Sequence, residues 1–407
     1  MPLTVCDAET VSKRADRGSS ATAAALGAAL VLSTVAAAAN GFGRFAYALV
    51  LPPMRADLHW SALTAGLLNA ASALGYLIGA AVTDRVAVRA GERTAILGAT
   101  AVSAVTIAAC AATANVPALL ALRAAQGVAG AVGFITGGAV VAQLASAHPA
   151  RQAGRMLGAY FSGPGLGILV SALAIPPLAG RIGWRGAWLV LAALTAGCLL
   201  IAGLALRRLP TSPAAASPRR PWAARRMAAL VASYGLFGGG YIAYMTFSVA
   251  YLREQGRSAG DVVAFWSALG LAGIVISVLL FPRLPARADG RAVAVLLAVV
   301  TAGSLLPLLS TSTSFVTISA VLFATFLSIT AGVTAAVRHH LPAEQWAPAI
   351  AGLTAVFGLG QCVGPVLSGA LSDGPSGLRA GLVAGTVLLA LSTLVALRQR
   401  DPTATAG

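Results

Sequence analysis

Charge is scarce in this chain. Only 10% of its 407 residues are charged, against about 25% in an average soluble domain, and mean hydropathy is +0.83. Lysine is nearly missing, with Lys13 the only one. A phosphate-binding loop needs a Lys and then a Ser or Thr after its glycines, in a soluble αβ context. Both are missing, which argues against ATP-driven work. The twelve acidic residues and the four histidines (His59, His148, His339 and His340) all fall in tails, loops or the edges of apolar runs. An enzyme site within those runs would need a nucleophile with a base, or metal ligands. Their lack argues against an enzyme and implies neither a metal site nor a cofactor. The four cysteines, Cys6, Cys110, Cys198 and Cys362, show no disulfide framework and no metal spacing. The last three sit in apolar runs, where a free cysteine behaves as a small hydrophobe.

What is present is a rhythm: about a dozen apolar stretches of roughly 20 residues, separated by short loops that hold nearly all the charge. At about 1.5 Å per residue, 20 helical residues cross the ~30 Å hydrocarbon core of a bilayer. The chain therefore reads as an all-α integral membrane protein with about 12 transmembrane helices. The expected spans are 21–51, 61–83, 94–113, 117–146, 156–179, 184–206, 227–251, 262–282, 292–310, 314–336, 348–371 and 379–397. The first run follows Lys13, Arg14 and Arg17 and passes the small residues Ala36–Ala39, as a secretory signal would. It continues past Asn40 and Arg44 to Leu51, too long for a signal's apolar region, and reads as a span.

The formal charge of +16 invites a nucleic-acid partner. The basic residues lie in short inter-helix loops with no nucleic-acid module among them, so none is expected. With the N-terminus inside, twenty of the 28 basic residues fall on the cytoplasmic side and six on the other, while Arg44 and Arg123 lie within spans. That bias fits the positive-inside rule, supports an even span count and places both termini in the cytoplasm of a cell (inner) membrane. The stretch 207–226 (RRLPTSPAAASPRRPWAARR) is rich in Pro, Ser and Arg and reads as a basic cytoplasmic linker. The expected organisation is a tail over 1–20, a six-helix bundle over 21–206, the linker, a second bundle over 227–397 and a tail over 398–407.

The two halves are weakly repeated. Gly41-Phe42-Gly43-Arg44-Phe45-Ala46-Tyr47 resembles Gly238-Gly239-Gly240-Tyr241-Ile242-Ala243-Tyr244. Arg89-Ala90-Gly91-Glu92-Arg93 resembles Arg287-Ala288-Asp289-Gly290-Arg291, and Gly163-Pro164 has a counterpart at Gly364-Pro365. Three matches in one order suggest a duplicated bundle, the usual build of a secondary transporter. The run Asp84-Arg85-Val86-Ala87-Val88-Arg89-Ala90-Gly91-Glu92-Arg93, with Gly79 five residues before it, resembles the G-x-x-x-D-R-x-G-R-R loop of the major facilitator superfamily. Ala87 stands where that loop has Gly. Arg123-x-x-Gln126-Gly127-x-x-Gly130 closely resembles the family's R-x-x-Q-G motif, and Gly158 with Ser162-Gly163-Pro164-Gly165-Leu166-Gly167 resembles its antiporter Gly-Pro motif. The first and seventh spans look like the YbfB/YjiJ-type branch. The resemblance covers about residues 21–397. It implies two pseudo-symmetric six-helix bundles, a monomer, and a secondary carrier working by alternating access.

The polar groups inside the spans are the candidate site. Asn40, Arg44 and Tyr47 share a similar face of span one, a set suited to a carboxylate or another acceptor; the alternative is an arginine reaching back to the interface. Arg123 and Gln126 share a face of span four with Gly127 and Gly130, and the same two readings apply, cavity or interface. Tyr241 and Tyr244 stand at the positions in span seven equivalent to Arg44 and Tyr47, and line the opposite wall or anchor the interface. Gln361, near the middle of span eleven, needs either a neighbouring helix or a solute as partner. Asp84 with Arg85, Arg89 and Arg93 forms either a solvated charge cluster or, as the resemblance implies, a conformational latch. Gly163, Pro164, Gly364 and Pro365 read as gating or conformational points, and the Gly-rich runs at 238–240 and 163–167 as close packing and bending points. With no embedded acid, the expected solute is a small organic anion or a neutral, fairly apolar molecule, exported or exchanged, with protons a candidate coupling ion. A proton-coupled multidrug-type carrier and a non-transporting sensor or scaffold are the alternatives.

Overall fold

A computed structural model describes residues 22–207, 222, 224–283 and 290–399. The tail 1–20, most of the linker 207–226, most of the C-terminal tail 398–407 and most of the repeat at 287–291 lie outside the described residues. Among the described residues twelve helices are long and apolar enough to span a membrane: α1 Thr22–Leu58, α2 Ala62–Ala90, α3 Glu92–Cys110, α4 Val116–Ser146, α5 Ala150–Leu178, α6 Gly180–Leu206, α7 Ala228–Glu254, α8 Ala259–Leu280, α9 Arg291–Leu309, α10 Thr313–His340, α11 Glu344–Ser372 and α12 Gly377–Ala396. Helices answer a bilayer's demand that backbone N–H and C=O groups be paired within the segment. Their outer faces leave Val105, Leu200 and Leu309 exposed, as lipid contact requires.

The helices form two six-helix bundles, and small residues set where they cross. In the first bundle α1 crosses α5 at Gly41 and Gly167, where an added Cβ on Gly41 would stand 2.5 Å from the Gly167 Cα. In the second, α7 crosses α11 at Gly239 and Gly364, where a Cβ on Gly364 would meet the Gly239 carbonyl oxygen at 2.2 Å. Between bundles, α2 packs on α11 and α5 on α8. Such close approach replaces the missing hydrophobic drive between helices in lipid with backbone-to-backbone packing.

Three local features differ from the spans expected above. First, α1 does not stop at Leu51. It runs through Pro52 and Pro53 to Leu58 and closes on His59 at φ 50. Second, a π-helical segment, Ala37–Phe45, widens its middle; the Ala46 N–H bonds the Gly41 carbonyl five residues back at 2.8 Å. Third, α2 continues to Ala90, so Asp84, Arg85 and Arg89 sit on helix rather than loop. The turn is made by Gly91 alone, at φ 81, with its N–H on the Ala87 carbonyl at 3.0 Å. Glycine takes that conformation without steric cost, so the turn has moved four residues past Ala87.

Candidate solute cavity

A cavity of about 880 Å³ lies between the bundles, within the range of small-molecule sites. It extends from the middle of the molecule to the ends of α2, α10 and α11 on the face where α1 begins, here the basic-loop face. Asp84, Thr334 and Pro348 line that wide end. The opposite face is closed. There the Asp373 carboxylate accepts from the Ala62 and Leu63 backbone N–H groups at 2.6 and 3.0 Å, so the second bundle caps the start of α2. Arg55 pairs with Glu254 at 3.5 Å, and Asn69 donates to Thr246 across the same divide.

Arg44, Gln361 and Tyr241 form the deep end. Arg44 Nη2 donates to Gln361 Oε1, and Gln361 Nε2 donates to the Tyr241 hydroxyl at 2.7 Å. The chain of bonds joins α1 of one bundle to α7 and α11 of the other. Arg44 is 5% exposed, its guanidinium lies over the Tyr76 ring at 5.1 Å, and its Nε has no hydrogen-bond partner. Among the described residues no carboxylate lies within ion-pair distance of it. Because α1 is longer than expected, Arg44 stands 14 residues from the end of its helix, about 21 Å along the axis. That depth rules out reaching back to the interface. The wide π turn that presents it is a local irregularity of the kind that recurs at functional sites.

Asn40 lines the cavity too, one turn from Arg44, and Pro164 lines the far wall where α5 breaks after Phe161. Four other candidates stand outside it. Arg123 is fully buried behind α1: its Nη1 donates to the Gly43 carbonyl at 2.6 Å, and its guanidinium faces the Tyr47 and Trp188 rings. Gln126 Nε2 reaches the Ala39 carbonyl at 3.5 Å, and its Oε1 accepts from Ser72 at 3.1 Å. Both thus address the backbone of the widened turn. Tyr47 donates to the Ala65 carbonyl, and Tyr244 bonds Ser319 and stacks on Phe323. Side chains on one face of an ideal helix were expected to share a wall; the π segment rotates Tyr47 away from Arg44.

Arg85, Arg89 and Arg93 are exposed on the basic-loop face. Gly163 packs on the α1 backbone at Ser33, Gly364 on α7, and the Pro365 carbonyl faces Gly66 of α2. The residues that sequence reasoning missed are aromatic: Tyr76, Tyr234, Phe237, Phe326 and Phe357 all line the cavity. Tyr234, Phe237 and Tyr241 at i, i+3 and i+7 were a visible stripe, but such a stripe marks ordinary core just as well.

Two bundles around a central cavity open at one face are shared by many carriers, and the sequence comparison decides among them. The family model described as "Uncharacterised MFS-type transporter YbfB" matches residues 36–397. The chain belongs to this family of the major facilitator superfamily. It is a multi-pass membrane transporter, not an enzyme. A curated relative, "Chloramphenicol resistance protein" of Streptomyces lividans, is 29% identical over 393 residues, spanning 93% of this chain and 97% of the relative. Among solved structures, a point mutant of the nucleoside transporter NupG superposes with a TM-score of 0.69 at 13% identity, covering 92% of this chain and 98% of that one. The human organic anion transporter MFSD10 (TETRAN) follows with a TM-score of 0.64 at 15% identity, covering 92% and 99%. At such identities the superpositions establish the major facilitator fold and nothing about the solute.

Proposed function

We propose that the protein is a secondary carrier of small organic solutes, an anion or a neutral apolar molecule, working by alternating access in export or exchange. The observation that carries this reading is Arg44: a buried cation without a carboxylate partner, at the deep end of a cavity shared by both bundles. A guanidinium in that setting binds an acceptor group strongly, because its field is poorly screened there. With both termini cytoplasmic in the cell membrane, as the arginine bias suggests, the cavity faces inward and receives solute from the cell. Export also accords with the relative named for chloramphenicol resistance. That relative favours a second reading, proton-coupled efflux of neutral drugs, with Asp84 an acid lining the cavity mouth.

The test is flux in proteoliposomes loaded with a pH dye, offered organic anions, cations and neutral drugs under an imposed proton gradient. Anion-dependent flux supports the first reading. Flux of neutral or cationic drugs alone supports the second. No flux of any compound defeats both.

Alternating access in this geometry requires the closed face to open. Asp373→Asn keeps the side-chain shape and removes the charge that holds the Ala62 and Leu63 N–H groups. Hydrogen bonds to charged groups are worth about 1.5–3 kcal/mol, so the equilibrium should shift about tenfold or more toward the other open state. Spin-label distances between the α1–α2 and α7–α8 loops read this directly. An unchanged distance distribution removes Asp373 as a latch.

A further inference from the structure

The cavity wall on the second bundle has a shape of its own. Tyr234, Phe237 and Tyr241 follow one face of α7 and stack on one another at interplanar angles of 14° and 22°. Phe357 of α11 stacks against all three, with centroids at 4.6, 5.6 and 5.6 Å and angles of 11°, 17° and 8°. Phe326 of α10 lies beyond Tyr241 at 5.3 Å and 21°. Five rings from three helices thus hold nearly one orientation, although aromatic pairs are as content edge-to-face. Stacked rings cover one another's faces, so the column leaves mainly ring edges and its end faces free. A planar aromatic ring extends the column or meets those edges edge-to-face, whereas a saturated ring of similar size has no π face to offer.

At the deep end of this wall, Gln361 links the Tyr241 hydroxyl to Arg44. The Arg44 Nε, buried and unpartnered, adds an unmet donor to an unmet charge. We propose that the transported solute is a planar aromatic anion, its ring against the Tyr234–Phe237–Tyr241–Phe357 wall and its acid group on Arg44. This rests on the carrier reading above and narrows it to one chemical class. The ring gives selectivity for aromatic solutes, and the acid group supplies the counter-charge that the arginine lacks. Tyr76, which also lines the cavity, covers one face of the guanidinium.

The experiment uses the full chain in proteoliposomes and matched anions of permanent charge: benzenesulfonate against cyclohexanesulfonate, and naphthalenesulfonate against its saturated counterpart. Binding is read by competition and transport by counterflow. The aromatic member of each pair should bind about tenfold tighter, the worth of two aromatic ring contacts. Phe357→Leu should erase most of that preference, and Arg44→Gln should weaken both members alike. Phe237→Leu is the second variant if Phe357→Leu does not fold; if neither folds, the wild-type preference decides. Equal or tighter binding of the saturated members overturns the proposal, as does a preference that survives loss of the wall. Flux of an uncharged aromatic alcohol with no anion recognised overturns it while leaving the carrier reading standing. No flux of any compound defeats the carrier reading itself.

Discussion

Arg44→Ala should lower organic-anion flux about thirtyfold or more. Truncating one partner of a buried, hydrogen-bonded charge pair costs about 2–5 kcal/mol, and each 1.4 kcal/mol is a factor of ten. In this protein the loss falls on two functions at once. On the reading proposed above, the solute's acid group loses its cation, and the bond from α1 to Gln361 of the other bundle disappears. Arg44→Lys separates charge from geometry. A lysine keeps the positive charge but offers a point charge on a flexible stem instead of a planar fork, so it should recover part of the flux. Uptake of labelled anion into proteoliposomes, with reconstitution levels matched, measures both variants. Anion flux near wild type in Arg44→Ala would place the solute elsewhere in the cavity. A neutral solute meets only the second of these losses, so its flux should fall less.

Arg123→Ala should produce the largest loss of stability in the first bundle. The side chain is fully buried, donates to the Gly43 carbonyl, and fills the space beside Tyr47 and Trp188. Removing it leaves a void among large side chains and takes a charged donor from a carbonyl in the widened turn. A cost of about 3 kcal/mol is the expected order. Part of the native interaction is offset by the desolvation of the guanidinium, whose Nε and Nη2 have no hydrogen-bond partners. Thermal unfolding of the purified protein in detergent reads the stability. Transport should fall with it, because Gly43 precedes Arg44 in the same turn and a relaxed turn moves the binding guanidinium. Arg123→Lys should restore stability in part through the bond to Gly43. A stability unchanged in Arg123→Ala would mean that the guanidinium's burial costs as much as its contacts return.

These two arginines show how far the sequence could be read. Both were visible as cations within apolar runs, and both had the same two readings, cavity or interface. The fold separates them from each other as well as from the interface. Arg44 faces the cavity, and Arg123 sits behind the helix that presents Arg44. The π segment Ala37–Phe45 changes the helical phase along α1, and Arg123 reaches the backbone of that segment at Gly43. Nothing in the composition of those nine residues announces a wider turn; it is supported by Arg123 and Gln126 of another helix. The length of α1 was hidden for a related reason. Pro52 and Pro53 are ordinary stop signals in isolation, yet the helix continues through them to Leu58.

The sequence by itself determined that the chain crosses the membrane in about twelve helices arranged as two related halves, and where the motifs of the superfamily lie. Those features are local. A bilayer forces each segment to satisfy its own backbone, so hydropathy and loop charge can be read one segment at a time. Only the tertiary structure decided which polar groups meet. The Arg44–Gln361 and Gln361–Tyr241 bonds join residues 317 and 120 positions apart, and the aromatic wall draws on three helices. Which face a helix turns inward is fixed by how small residues let its neighbours approach, and that depends on all the helices packing together.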